Sequence, residues 1–412
     1  MKISTATSLS GILAVTALLG CNLLKKKDDG NEPKVTTETR SAGGSSGATT
    51  ESTSKPGAGC KLEDVEADFT LKKGCSVTVE DIVHVRKNAT LRIEPGVKLM
   101  FKTAAMLVVE EGKLVAKGTQ KEPITMTSAN ATQAAGDWAG VHFKEHAGAG
   151  SELDFVSMEF TGNDRDYAEG AVTLHDQRSP GRVSITNSTF SNGALKAVAN
   201  KSPKGAFAKF TGNKMKGHKK GSLDGSPEVL ASVGTGNTFG DPLYTRGDVV
   251  ESLTWPAFDA PVVVDAPVHV RGEKAAAILT LAPKTTLRFA EGALLAVGQG
   301  NGGGLVAREA TMTSVNASPH AGDWGGVHLH ERAANVTIEG STIEYAGQEV
   351  DYAKGAITFH LATKGTRGIK ISGNTFRHNK HGAFGAPEHD CGPFVGAAEK
   401  NRSEGDPLCA KE

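Results

Sequence analysis

The sequence has few aromatic residues, no net charge and no apolar stretch long enough to cross a bilayer. Phe, Trp and Tyr make up only 5% of the 412 residues, which is low for a compact globular core. Lys and Arg number 46, as do Asp and Glu, so the formal charge is zero and no nucleic-acid partner is expected. The apolar run from Ile12 to Leu19 is shorter than the roughly 20 residues that a transmembrane helix needs.

The first 59 residues predict an export signal and a tether. A short positive region and the apolar run lead into LLGC at Leu18–Cys21, which resembles the lipobox of bacterial lipoproteins. The resemblance implies that a signal peptide, residues 1–20, is removed and that acylated Cys21 anchors the protein to the membrane. Asn22 is not the Asp that retains such proteins in the inner membrane, so we expect an outer-membrane lipoprotein, periplasmic or surface-exposed. Residues 21–59 are rich in Lys, Asp, Ser and Gly and predict a disordered tether.

Four further cysteines, an even number in an exported chain, predict disulfides. Three pairings are possible, and we favour local pairing of Cys60 with Cys75 and of Cys391 with Cys409, because each pair lies at one end of the folded region. Closing a loop of about 15 residues contributes roughly 3 kcal/mol in the chain-entropy model. The cysteines show no CxxC spacing, so they do not predict a metal site.

The region after the tether contains two homologous halves. The same phrases occur in the same order in each half, among them a distinctive nonapeptide with Trp and His. The matched pairs include AGDWAGVHF (Ala135–Phe143) with AGDWGGVHL (Ala321–Leu329), and DYAEGAVTLH (Asp166–His175) with DYAKGAITFH (Asp351–His360). We therefore predict a first half over residues 60–245 and a second half over residues 246–412.

Short bursts of alternating apolar and polar residues fill both halves and predict β-strands. Gly, Asn and Asp separate the bursts, and glycine alone accounts for 50 residues. Related phrases such as TNSTF, TGNKM and TGNTF recur at about the length of one solenoid coil. Together with TLRIEPGVKLMFK and GDWAGVHF, they resemble the right-handed parallel β-helix (pectin-lyase-like) superfamily, and more closely bacterial surface lipoproteins with such repeats, over about residues 77–386. The resemblance implies an all-β solenoid. It does not specify a function, because lyases, hydrolases, epimerases and adhesins all share this fold.

The duplicated histidines and aspartates are the candidate site. Strand alternation predicts that Val141 and Phe143 point inward and that His142 points outward. His175 is expected beside it on the next coil, with Asp166 in the loop that leads into the same sheet. Two His and a carboxylate are able to bind a divalent metal or to transfer protons. The weak catalytic candidates are His142, Asp166, His175, His328, Asp351 and His360.

A structural explanation of the same repeats competes with a functional one. Duplication preserves turns as readily as sites, and Gly136–Trp138 is expected to form a turn whose Trp covers the apolar column. A β-eliminating lyase needs carboxylates that hold Ca²⁺ beside an Arg or Lys base, and no such cluster recurs in both halves. The sequence therefore predicts no cofactor and no resident metal.

Three functions follow from these observations. The first is a lipid-anchored, non-catalytic β-helix protein that presents a rigid face to a cell-surface polysaccharide or a protein partner. The alternative is a carbohydrate-active lyase, hydrolase or epimerase, in which Asp and His side chains converge in a groove. The third is a metal-binding module that uses the histidine pairs.

Overall fold

The computed structural model describes residues 60–147, 149–175, 183–202, 205–349, 354–360, 368–386, 400–405 and 407–409. The expected signal peptide and tether, and with them Cys21, lie outside the described residues, as do Asp351 and Cys391. The described part contains 35 β-strands, a 3-10 helix at Arg165–Tyr167 and one α-helix, α1, at Pro227–Ala231. Neither helix is long and apolar enough to cross a membrane.

The strands are short and follow one another closely along the chain. Those up to the middle of the column are β1 (Phe69–Leu71), β2 (Ser76–Val79), β3 (Ile82–Val85), β4 (Thr90–Ile93), β5 (Lys98–Phe101), β6 (Met106–Val109), β7 (Lys113–Lys117), β8 (Ile124–Ser128), β9 (Gly140–Phe143), β10 (Ser151–Asp154), β11 (Val156–Glu159), β12 (Gly170–Leu174), β13 (Val183–Thr186), β14 (Thr189–Ser191), β15 (Lys196–Asn200), β16 (Lys209–Thr211), β17 (Lys214–Lys216), β18 (Leu223–Gly225), β19 (Thr238–Phe239) and β20 (Leu243–Val249). The others are β21 (Leu253–Trp255), β22 (Val262–Val270), β23 (Ala277–Leu281), β24 (Thr286–Phe289), β25 (Leu295–Val297), β26 (Gly303–Arg308), β27 (Thr311–Ser314), β28 (Val327–Leu329), β29 (Val336–Glu339), β30 (Thr342–Glu344), β31 (Ile357–Phe359), β32 (Ile369–Ser372), β33 (Thr375–Arg377), β34 (Phe384–Gly385) and β35 (Arg402–Glu404).

Parallel pairing sorts the strands of the first half into three sheets. S1 has the order β1-β4-β7-β10-β13-β16, and S2 has the order β2-β5-β8-β11-β14-β17-β19. S3 begins with β3-β6-β9-β12-β15-β18-β20. Each full coil contributes one strand to every sheet, and the next coil stacks on it in register. The predicted fold class, a right-handed parallel β-helix, is confirmed.

One apolar column fills the interior. Val141 and Phe143 of β9 are fully buried in it, as the alternation predicted. The recurring TNSTF-type phrases stack in the same way, because Phe190, Met215 and Phe239 are register neighbours on S2. Burying one large apolar side chain contributes about 1.5–3 kcal/mol, so successive coils hold one another together although each is thin.

A ladder of buried polar side chains holds the corner between S1 and S2. Asn213 is fully buried, and its Oδ1 accepts a hydrogen bond from the Ser188 backbone N–H at 3.0 Å. Its Nδ2 donates to the Ile185 carbonyl oxygen at 2.8 Å and to Oδ1 of Asn237 at 3.1 Å. Asn374 occupies the same kind of corner in the second half. The TGN phrase therefore recurs because the side chain of its Asn satisfies buried backbone groups on adjacent coils.

Two long strands join the halves into a continuous column. The first residues of β20 and β22 pair with each other and continue S3 through β24-β27-β30-β33-β35. Their last residues pair separately and begin a new sheet, S4, through β25-β28-β31-β34, while S5 has the order β21-β23-β26-β29-β32. By sequence, β24 corresponds to β5 of S2, and β25 corresponds to β6 of S3. Equivalent strands of the two halves therefore lie on different faces of the column, and the expected boundary between residues 245 and 246 falls inside β20.

The N-terminal end of the column is closed by a disulfide. It joins Cys60 to Cys75, as the local pairing predicted. Leu62 and Val65 are buried inside the loop that this disulfide closes. Cys409, near the other end, is disulfide-bonded as well, and Cys391, its expected partner, lies outside the described residues.

Candidate functional site

The duplicated nonapeptide forms the same corner in both halves. In the first half, Oδ2 of Asp137 accepts hydrogen bonds from Ser128 Oγ at 2.6 Å and from the Ala134 backbone N–H at 2.9 Å. In the second half, Asp323 accepts from Ser314 Oγ at 2.6 Å. Each carboxylate ties the loop to the preceding strand, so both aspartates are engaged in the structure of the turn.

The Trp of the nonapeptide packs into the apolar column. The ring of Trp138 stacks on Phe101 with 4.0 Å between centroids, and its indole N–H donates to the Glu159 carbonyl oxygen at 2.7 Å. Trp324 stacks on Phe289 at 3.9 Å and donates to a carbonyl oxygen at 2.9 Å. Both Trp side chains are fully buried. The packing of the column therefore accounts for the repetition of GDW.

The glycine that begins each His-bearing strand is required by the next coil. Gly140 has a φ of 110°, and a Cβ there would lie 2.5 Å from the Ala171 carbonyl oxygen. Gly326 has a φ of 98°, and its Cβ would lie 2.7 Å from the Ala356 carbonyl oxygen. No other residue fits either position without strain. The Asp, the Trp and this Gly thus have structural roles, and the histidine is the remaining side chain of the nonapeptide that is able to carry chemistry.

His142 lies on the side of S3 opposite Val141 and Phe143, but the expectation that it is exposed is wrong. Its side chain is fully buried. Its register neighbour Val108 belongs to a second, smaller apolar cluster on the outer side of the sheet, to which the loop residue Ala168 also belongs. This cluster consists of Met106, Val108, Ala139 and Ala168. Strand alternation predicts which side a residue takes, whereas loops of neighbouring coils decide whether that side is covered.

The structure brings the first-half candidates together. Nδ1 of His142 lies 3.4 Å from Nε2 of His175, and their ring centroids are 5.3 Å apart. Asp166 lies beside them, where its Oδ2 accepts a hydrogen bond from Lys144 Nζ at 2.9 Å. The predicted neighbourhood of His142, His175 and Asp166 is therefore present, with a lysine added to it.

The electrostatics of this set favour neutral imidazoles. Burial, followed by the charges of His175 and Lys144, lowers the pKa of His142 to about 3. Burial also lowers the pKa of His175. Partial burial acts to raise the pKa of Asp166, but the hydrogen bond and charge of Lys144 outweigh it and lower that pKa. The first half therefore presents two rings whose neutral form is favoured, beside the ion pair of Lys144 and Asp166.

The second half carries three histidines in the corresponding place. His328 is buried and His330 and His360 are half-buried, and one ring nitrogen of each lies within 4.8 Å of the others. The rings of His330 and His360 stack with centroids 4.1 Å apart. His330 occupies the position of Lys144 in the first half. Asp351, the predicted carboxylate of this half, lies outside the described residues.

His330 and the neighbouring Gln299 are not among the site residues predicted from the sequence. A chain of contacts runs from His269 Nδ1 to Gln299 Oε1 at 3.0 Å, and from Gln299 Nε2 to His330 Nε2 at 3.3 Å. The signal for His330 is the phrase VHLH, in which two histidines at alternate positions must share one side of a strand. Gln299 is brought to them by coil stacking and has no comparable signal in the sequence.

These observations define the class of the protein as a parallel β-helix with a structurally duplicated corner. Residues 63–174 match the family model of the pectate-lyase-like β-helix domain. The resemblance to the pectin-lyase-like superfamily is confirmed by this match, which extends through β12 and ends just before His175. Neither a curated protein nor a solved structure matches the chain.

Proposed function

We propose that this protein is a non-catalytic, lipid-anchored binding protein of the bacterial cell surface that holds an extended polysaccharide along a face of its β-helix. The observation that supports the proposal is a row of hydroxyl and ammonium groups on the outer side of S2. A second row, on the corresponding strands of the other half, repeats this chemistry.

The first row crosses all seven strands of S2 in register. It contains two cations, five hydroxyl groups and no carboxylate: Ser76, Lys98, Thr125, Ser157, Thr189, Lys214 and Thr238. At about 4.8 Å per strand, the row is about 29 Å long. Its side chains are exposed or half-buried. Such a row suits a long, hydroxylated and acidic polymer, because hydrogen-bond donors recur at even spacing along it and a positive charge lies near each end.

The second row lies on the part of S3 whose strands correspond to S2. Its members are Thr286, Thr311, Thr342, Thr375 and Arg402. Outer positions contribute nothing to the apolar column, so core packing does not dictate these side chains. The β-propensity of Thr accounts for part of the pattern but not for the Lys and Ser residues of the first row.

A groove of about 380 Å³ lies beside the first row and shares Ser157, Thr189 and Lys214 with it. Its remaining wall combines polar side chains with one aromatic ring. These residues include Thr119, Gln120, Pro123, Phe155 and Asn187. A mostly polar groove with one ring is compatible with a sugar that is hydrogen-bonded on its edges and packed on one face.

The proposal is tested by affinity electrophoresis of the full chain through gels that contain acidic or neutral polysaccharides. Retardation by an acidic polysaccharide is the expected result. Replacing both Lys98 and Lys214 by Glu should weaken it roughly 10-fold or more, because two cations of the row become anions. Lys209→Glu on S1 is the matched control, since Lys209 is an exposed Lys outside both rows. Absence of retardation by every glycan, or equal loss in the control, would contradict the proposal and favour a protein partner.

A carbohydrate-active lyase, hydrolase or epimerase is the second candidate, and the match to the pectate-lyase-like domain favours it. Incubating the full chain with the same polysaccharides separates the two candidates, because a lyase releases unsaturated products and a hydrolase releases new reducing ends. Product from any glycan that is abolished in His175→Ala, with the fold intact by circular dichroism, would establish catalysis at the histidine pair. The non-catalytic proposal requires that no product form.

The anchor is proposed from LLGC at Leu18–Cys21. Mass spectrometry of the protein purified from bacterial membranes should find the mature chain beginning at acylated Cys21. Cys21→Ala should abolish acylation and release the protein from the outer-membrane fraction. An unmodified Cys21 in the wild-type protein would refute the anchor without affecting the glycan proposal.

A further inference from the structure

The second half differs from the first in having a third histidine where the first has Lys144. We propose that His328, His330 and His360 bind one first-row transition-metal ion, such as Zn²⁺, on the outer side of S4. This site is independent of the polysaccharide rows, which lie on S2 and S3. Neutral imidazole nitrogen is a preferred ligand of Zn²⁺, Ni²⁺ and Cu²⁺, whereas Ca²⁺ and Mg²⁺ prefer oxygen.

The backbone arranges the three rings on one side of one sheet. His328 and His330 are alternate residues of a single extended segment, so their side chains point the same way. His360 follows β31, the strand paired with β28, and its ring stacks on that of His330. The parallel ladder holds these positions with little freedom, so a metal would meet ligands that are already close together.

The nitrogens need only a small adjustment to enclose an ion. Those of the three histidines lie within 4.8 Å of one another. Tetrahedral Zn²⁺ with bonds of about 2.05 Å requires nitrogens about 3.4 Å apart. We expect rotation of the half-buried rings of His330 and His360 to close this difference on binding. Since both rings are partly accessible, water is able to supply the fourth ligand.

The groups around these rings suit metal ligands. Nε2 of His328 lies 3.1 Å from the Gly325 carbonyl oxygen, which is an acceptor for a proton on that nitrogen. A metal-binding His usually donates its second N–H to such an acceptor. Nε2 of Gln299 lies 3.3 Å from Nε2 of His330, so this side chain contacts the ring from the side of S4 nearest His269.

The first half provides a natural control for the third ligand. There Lys144 takes the place of His330 and donates to Asp166, and the two remaining histidines lie side by side. An ammonium group at this position repels a cation and supplies no lone pair. We therefore expect one strong metal site per chain. Because the fold already accommodates Lys at the equivalent position, His330→Lys is a substitution that the second half should tolerate.

The test is isothermal titration calorimetry of ZnCl₂ into the full chain, purified without a histidine tag and stripped with a chelator. The wild-type chain should bind one equivalent of Zn²⁺ with micromolar or tighter affinity. His330→Lys should weaken this binding roughly 100-fold, because it removes one of three ligands and adds a positive charge. His175→Ala in the first half, the matched control, should leave affinity and stoichiometry unchanged.

Substitution with Co²⁺ gives a second readout, because its visible absorption reports the coordination geometry directly. Intense bands typical of four-coordinate Co²⁺ should appear in the wild-type chain and in His175→Ala, and should be absent from His330→Lys. The proposal is overturned if the wild-type chain binds no Zn²⁺ at micromolar concentration. It is equally overturned if His330→Lys binds as tightly as the wild type while circular dichroism shows that every variant is folded.

Discussion

Trp138→Ala should destabilise the β-helix more than most single substitutions. The side chain is fully buried and stacks on Phe101. Truncating a buried Trp to Ala costs about 3–5 kcal/mol, as lost transfer energy and a cavity. Its N–H also donates to the part-buried Glu159 carbonyl oxygen at 2.7 Å, and removing that donor adds about 1–3 kcal/mol. The expected loss is therefore about 4–8 kcal/mol, a large part of the stability of an ordinary domain.

Two companion variants separate the contributions. Trp138→Phe keeps an aromatic ring against Phe101 and removes the donor, so it should cost about 1–3 kcal/mol. Trp324→Ala removes the equivalent contacts of the second half, a stack at 3.9 Å and a hydrogen bond at 2.9 Å, and should cost as much as Trp138→Ala to within about 1 kcal/mol. Tyr167→Ala is the control, because that ring is 83% exposed and its loss should change stability by no more than about 0.5 kcal/mol.

The assay is urea-induced unfolding monitored by circular dichroism, a signal that does not depend on Trp fluorescence. Midpoints and slopes are compared among the four variants and the wild type, since a change in slope would reveal that one half unfolds separately. A loss below about 2 kcal/mol for Trp138→Ala would refute the reasoning. A loss for Trp138→Phe as large as that for Trp138→Ala would show that the hydrogen bond, and not the packing of the ring, dominates.

Two further predictions concern pH and the disulfide. Burial lowers the pKa of His142 to about 3, whereas the pKa of an imidazole in the unfolded chain is near 6.5. Between these two pH values the unfolded chain binds more protons than the folded one. The free energy of unfolding should therefore fall by about 2 kcal/mol from pH 7 to pH 5. His142→Val should remove that part of the pH dependence measured by urea unfolding, and an unchanged slope would contradict the assignment. Replacing Cys60 and Cys75 by Ser opens a crosslink between residues 15 apart and should cost roughly 3 kcal/mol, seen as a lower Tm. An unchanged Tm would show that this disulfide does not stabilise the column.

Much of the fold is predictable because it depends on local patterns. Alternation of apolar and polar residues predicts which side of a strand enters the column, and Val141, Phe143 and Phe190 obey it. The pairing of Cys60 with Cys75 follows from their closeness in sequence and their place at one end of the body. The GDW turn was predicted as a cover for the column, and the stacking of Trp138 confirms that interpretation.

The candidate site is less predictable because its properties depend on neighbouring coils. His142 is on the expected side, but its side chain is fully buried, and its low pKa follows mainly from that burial. The pairing of Lys144 with Asp166 changes the chemistry of the first half in a way that no spacing indicates. In the second half, His330 becomes notable only when stacking places His360 against it.

The sequence by itself determined the two homologous halves, the strands and the side of each strand that is buried, because alternation and turn residues act over a few positions. Only the tertiary structure decided how the halves join. Strands β20 and β22 each span a corner, so their two ends pair into different sheets. The strands that follow therefore lie on a different face of the column from their equivalents in the first half. As a result, S3 carries His142 in its first part and the threonine row in its second, while His328 begins a face of its own on S4. This shift arises from hydrogen bonds between coils, which link residues too far apart in sequence for any local pattern to specify.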